Sequence, residues 1–184
     1  MNLPNKLTML RILMIPFFVI FALIQHQWAQ YLALLIYILA CLTDMLDGRI
    51  ARSHNLVTDF GKFADPIADK LLVMAALIVL VDSHRMPAWV CIVMLAREFI
   101  ISGFRLVAAG NGNVIAAGML GKLKTVFQMS ATIALMLLVP VEGSGLLGGF
   151  GIGLANVLMY IAAILTIISG AEYIIKNFDC ISNM

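Results

Sequence analysis

The sequence predicts an all-α, polytopic membrane protein of six transmembrane helices with both termini cytoplasmic, forming one domain over residues 1–184. Three observations predict it. Hydrophobic residues make up 62% of the chain, charged residues only 12%, and mean hydropathy is +1.03. A soluble domain carries about 25% charged residues. The apolar residues also fall into six runs near the roughly 20 residues a spanning helix needs. Finally, the basic residues gather on one side of the resulting layout.

The first run, Leu7–Ile24, follows Lys6 and Arg11 but no small-residue cleavage site follows it, so it reads as a retained span rather than a signal peptide. Tyr31–Ala51, Phe60–Val81, Pro87–Ala108, Leu120–Val139 and the longer Leu146–Ile175 complete the set. Connections such as Gln25–Gln30 and Asp82–Met86 are short, which predicts antiparallel neighbours. With both termini inside, Lys6, Arg11, Arg49, Arg52, Lys62, Lys70, Arg97, Arg105, Lys122, Lys124 and Lys176 all lie towards the cytoplasm, and only Arg85 lies outside. A net charge of +2 gives no case for nucleic-acid binding.

Spans two to four reach full length only by including polar residues at their cytoplasmic ends. Polar helix ends at one depth predict a hydrophilic cavity open to the cytoplasm. Snorkelling of basic side chains is the alternative, but it does not account for acids. Five of the seven aspartates, Asp44, Asp47, Asp59, Asp65 and Asp69, fall in this region, where a carboxylate costs about 2.5–3.5 kcal/mol at mid-bilayer. Asp44, Asp47, Gly48 and Ala51 share one helical face. Asp65 and Asp69 share a face of the next helix, and a short loop lets the pairs meet.

Four convergent carboxylates suit Mg²⁺ or Mn²⁺, and two ions about 4 Å apart are the common arrangement for phosphoryl transfer. Gly48, Ala51 and Gly61 leave room for a phosphate or nucleotide. Pro66 leaves two helix starts open: one near Pro66 itself, or one near Asp59 with a kink. Asp59 reads as a helix cap.

The string Asp44-x2-Asp47-Gly48-x2-Ala51-Arg52-x8-Gly61-x3-Asp65-x3-Asp69 resembles the signature of the CDP-alcohol phosphatidyltransferases at every fixed position. Length and six-span layout are also similar to that family. The resemblance implies a membrane transferase that passes a phosphatidyl group from CDP-diacylglycerol to an alcohol and releases CMP, and it implies a homodimer. It makes Asp44, Asp47 and Asp65 metal ligands, with Asp69 joining them or acting as general base on the acceptor hydroxyl. Asn5, Thr8, Asp44, Gly48, Ala51, Arg52 and Gly61 then contact the CDP moiety, Asn5 and Thr8 through the similar first segment Pro4-Asn5-x2-Thr8-x2-Arg11.

The acceptor is a separate question. Arg97, Arg105, Lys122 and Lys124 gather at the cytoplasmic ends of spans four and five, and such a cation cluster suits an acceptor with its own phosphate. The positive-inside rule accounts for the same charges. The segments Ala96–Arg105 and Gly121–Gln128 resemble those of family members that use sn-glycerol 3-phosphate. By that resemblance Arg97, Arg105 and Lys122 are acceptor-phosphate contacts, and the cluster adds Lys124 to them. Serine or inositol phosphate remain alternative acceptors, and a small cation transporter is the alternative from another class. Glu98 is expected to pair with a cation inside the bundle.

Other features are set aside. Gly143-Ser-Gly145-Leu-Leu-Gly148 fits a dinucleotide fingerprint but lacks a preceding strand and joins two spans. His26, His54 and His84 are isolated, the methionines are scattered, and Cys41, Cys91 and Cys180 lack ligand spacing. Glu172 and Lys176 form an i,i+4 pair worth a few tenths of a kcal/mol, about 0.2–0.5.

Overall fold

A computed structural model describes residues 3–53, 59–110, 118–138 and 147–177, with the backbone alone for 3–4, 45–53, 59–63 and Asp65. His54, Cys180 and residues 143–146 of the glycine motif lie outside the described residues. Six helices follow in order: α1 Leu3–Leu23, α2 Gln27–Ser53, α3 Asp59–Asp82, α4 Ala88–Gly110, α5 Met119–Leu138 and α6 Gly148–Lys176. Among the described residues there is no strand. Segments Asn5–Leu23 and Gly148–Lys176 are each long and apolar enough to cross a membrane.

The expected helices form, and two local expectations change. The connection between α1 and α2 is shorter than Gln25–Gln30, because α2 already begins at Gln27. Gln30 makes this tight turn possible. Its amide donates to the carbonyls of Ala22 (2.8 Å) and Ile24 (3.0 Å), and so ties α2 to the last turn of α1, where carbonyls lack helical partners. The start of α3 is also resolved: the helix begins at Asp59 and takes Pro66 inside it. The proline removes one intrahelical hydrogen bond, as Pro16 does in α1. The cap role of Asp59 concerns a side chain outside those described.

Packing follows sequence order only in part. α1 lies against α2 and α3, α6 against α5 and α4, and α3 and α2 reach across to α5. Phe18, Tyr37, Leu77, Leu80, Met94, Leu135 and Met159 fill the centre. Between them sit buried alanines, including Ala22, Ala33, Ala40, Ala76, Ala155 and Ala162. Small residues let helix backbones approach closely, the packing used where lipid removes the hydrophobic drive between helices. The outside is the reverse of a soluble surface: Leu13, Phe17, Ile20, Leu35, Ile78, Ile92, Val126, Val157 and Ile164 are all exposed. An apolar shell this extensive marks contact with something other than water.

Candidate active site

α1 carries Asn5, Thr8 and Arg11 on one face at three-residue spacing, and all three are buried. The Arg11 side chain is wholly buried and its Nη1 lies 2.7 Å from Oδ1 of Asp44, whose side chain stays 41% exposed. The buried guanidinium therefore holds one oxygen of an aspartate that still faces open space. Asp44 and Arg11 also lie within electrostatic reach of Asp69, together with Glu98 and Lys70. Of the predicted ligands, Asp44 and Asp69 have described side chains, and α2 and α3 bring them within electrostatic reach of each other. The side chains of Asp47, Asp65, Gly48, Ala51, Arg52 and Gly61 lie outside those described. Their helical backbones continue α2 and α3. Among the described residues no group of three or more metal-ligating side chains occurs.

Asp69 opens into a cavity of about 60 Å³ that four helices line: Tyr37 from α2, Asp69 and Lys70 from α3, Glu98 from α4, and Lys124, Thr125 and Gln128 from α5. Lys124 is 1% exposed and pairs with Glu98. A buried ammonium needs such a partner, since breaking a buried pair costs about 3–5 kcal/mol. Glu98 therefore does pair with a cation inside the bundle. Its Oε1 also lies 3.6 Å from Nη1 of Arg97.

Arg97 lines a second cavity, of about 210 Å³, with Arg105, Gly118, Gly121, Ser169, Glu172, Tyr173 and Lys176. Two glycines make room for it. A Cβ on Gly170 would meet Arg97 Cγ at 3.2 Å, and one on Gly121 would meet its Nη2 at 3.3 Å. Arg105 is held by Tyr173: its Nε donates to the tyrosine hydroxyl at 3.2 Å, and its guanidinium carbon lies 5.3 Å from the ring centroid. Phe104 meets the same ring edge-on at 5.7 Å. Lys176 pairs with Glu172, the expected i,i+4 contact. The three cations face one carboxylate across this cavity.

The four predicted cations therefore separate. Arg97 and Arg105 share the second cavity, Lys124 lines the first, and Lys122 is exposed and lines neither. The chain Lys124–Glu98–Arg97 links the two cavities. Sequence reasoning missed Arg11 as a partner of Asp44, and Tyr173 and Lys176 as cavity residues. Arg11 was legible as a charge inside an apolar run. The α6 residues lie some 70 positions from their neighbours in the chain, and no spacing rule reaches that far.

Comparison with known proteins gives this arrangement its context. The profile described as CDP-alcohol phosphatidyltransferase matches residues 1–168. A Bacillus subtilis protein named CDP-diacylglycerol–glycerol-3-phosphate 3-phosphatidyltransferase is 45% identical over 98% of this chain and 97% of its own. Proteins of the same name from Rickettsia typhi and Salmonella typhimurium are 43% and 39% identical, each over 94% of this chain and at least 93% of their own. The chain belongs to the CDP-alcohol phosphatidyltransferase family.

Proposed function

We propose that this protein transfers the phosphatidyl group of CDP-diacylglycerol to sn-glycerol 3-phosphate, giving phosphatidylglycerophosphate and CMP. Identity of 45% over nearly the whole length of a relative bearing that activity in its name carries the reading. The geometry supports it: a carboxylate cavity and a cation-lined cavity adjoin through Glu98 and Arg97. The first suits the reacting phosphorus and the second suits the phosphate of the acceptor. Serine would leave the cations without a matching dianion. The transporter alternative falls with family membership.

The family is divalent-metal dependent. The donor set fits: Asp44 keeps an open carboxylate edge and lies within electrostatic reach of Asp69, and carboxylate oxygens suit Mg²⁺ or Mn²⁺. Asp44, Asp47 and Asp65 would hold two such ions, with Asp69 beside them. When bound, these supply positive charge that stabilises the pyrophosphate and the departing CMP.

The chain's own residues do the rest. Asn5, Thr8, Asp44, Gly48, Ala51, Arg52 and Gly61 bind the CDP moiety, with Arg52 neutralising pyrophosphate charge. Arg97, Arg105 and Lys176 hold the acceptor phosphate. Lys124 keeps Glu98, and through it Arg97, in place. Asp69 takes the proton from the acceptor hydroxyl. The freed oxygen attacks the lipid-bearing phosphorus, the bond from that phosphorus to the bridging oxygen breaks, and CMP leaves with the electron pair.

The same reading sets six spans in a bacterial cytoplasmic membrane with both termini and the site on the cytoplasmic side. Eleven basic residues against one support that orientation. A homodimer, implied by the family resemblance, completes the proposal. The test is CMP release from CDP-diacylglycerol with each acceptor in turn. Release is expected with sn-glycerol 3-phosphate; release with serine or inositol phosphate alone overturns the assignment.

A further inference from the structure

The turn from α3 into α4 lies at the end of the bundle away from Asp69, about 20 Å along α3 at 1.5 Å per residue. A cavity of about 510 Å³ opens there, lined by His84, Arg85, Met86, Ala88, Asn156 and Tyr160 among others. Arg85 is only 6% exposed, and its buried Nε and Nη2 have no hydrogen-bond partner among the described residues. None of the ion pairs among the described residues involves it. An arginine stays charged when buried, and a buried charge without a partner is costly. The site is therefore built to receive an anion.

The backbone holds this arginine in place. His84 adopts a left-handed conformation, φ 56°, which folds the chain back so that the amides of Arg85 and Met86 donate to the Leu80 carbonyl at 2.9 and 3.1 Å. The end of α3 is thereby satisfied without the Arg85 side chain. α4 then starts at Ala88, inside the cavity lining. The amides of Val90 and Cys91 bond to Pro87. Those of Ala88 and Trp89, one step earlier, belong to the first turn, which offers unpaired N–H groups to an anion.

The surroundings of the cavity identify the anion's carrier. Trp89 stacks on Tyr160 (6.2 Å, 25°), and both are about half exposed. Such aromatics settle at the level of lipid headgroups. Towards the other end, exposed Ile92 on α4 and Ile164 on α6 continue the same surface. It leads to an apolar groove of about 230 Å³ between those two helices, lined by Ile100 and Ile167 among others. We propose that the α3–α4 cavity binds the phosphodiester of a phospholipid headgroup on Arg85, with its acyl chains along the α4–α6 surface. The headgroup end of this site is separate from the reacting centre, while Arg97 also lines the apolar groove.

The test uses full-length protein in neutral detergent, titrated with phosphatidylglycerol and read by native mass spectrometry. Wild type is expected to retain one more phospholipid per chain than Arg85→Gln, with affinity for that lipid falling about tenfold or more, some 1.4 kcal/mol. Asn156→Leu, which fills the cavity and leaves the buried charge intact, is expected to lower retention as well, and it decides the matter alone if Arg85→Gln does not fold. Equal retention by wild type and the folded variants overturns the site. Displacement of the lipid by millimolar inorganic phosphate overturns the lipid assignment in favour of a free anion.

Discussion

At the scale of single residues, the site depends on how each charge is held. Asp69 lines its cavity with Glu98 and Lys124, and its proposed task is to take one proton from a weak nucleophile. Asp69→Asn keeps the shape and removes the base, so CMP release is expected to fall about 10²–10⁴-fold while divalent-metal binding, read by calorimetry, largely persists. Near-normal turnover would show that another group takes the proton. Tyr173 acts at one remove. Its hydroxyl and ring both hold Arg105, so Tyr173→Phe deletes one bond of about 1.5–3 kcal/mol to a charged group. The KM for glycerol 3-phosphate should rise about tenfold with kcat little changed; a fall in kcat at constant KM would contradict a role in holding acceptor phosphate. The aspartates were legible because acid inside an apolar run is an anomaly of composition. Tyr173 was not, because a tyrosine in an apolar helix reads as packing until its arginine is seen beside it.

At the scale of helices, α4 and α6 meet closely at Gly170. A Cβ there would come within 3.2 Å of Arg97 Cγ, so Gly170→Ala shifts the arginine by a few tenths of an ångström within the cavity proposed for the acceptor. A rise of severalfold in KM for the acceptor is expected from steady-state CMP release. Gly103 in α4 is the control, since a Cβ there meets nothing within 4 Å. Gly103→Ala should leave KM unchanged and raise thermal stability slightly, by about 0.5–1 kcal/mol of helix propensity. Equal effects from both substitutions would rule out the steric argument. The helices were legible to within four residues at each end, because each is built on a long apolar run. The α1–α2 turn was drawn too long because Gln30 works through its side chain, capping carbonyls six and eight residues back.

At the scale of the whole molecule, the apolar core draws on all six helices. Phe18, Tyr37, Leu77, Met94, Leu135 and Met159 pack it, and burial of these side chains drives the bundle together without a metal ion. Chelation by EDTA is expected to abolish CMP release reversibly, while helix content by circular dichroism stays constant and Mg²⁺ or Mn²⁺ restores turnover. Loss of helix on chelation would make the metal structural. The exposed apolar shell and the buried polar residues Asn5, Thr8, Arg11, Lys124 and Gln128 form an inside-out pattern that suits lipid outside and charged substrate within.

By itself the sequence determined the helical class, the approximate extent of the helices and the carboxylate string, because each depends on residues close together in the chain: apolar run length, three- and four-residue spacing, and the cost of acid beside hydrocarbon. Tertiary structure alone decided which charges meet. It paired Arg11 with Asp44 and Lys124 with Glu98, and it placed Arg97 and Arg105 in one cavity, Lys124 in another and Lys122 in neither. It also left Arg85 buried with two unpaired donors. A charge acts through space over a few ångströms, and only the packing of α1, α4, α5 and α6 sets those distances.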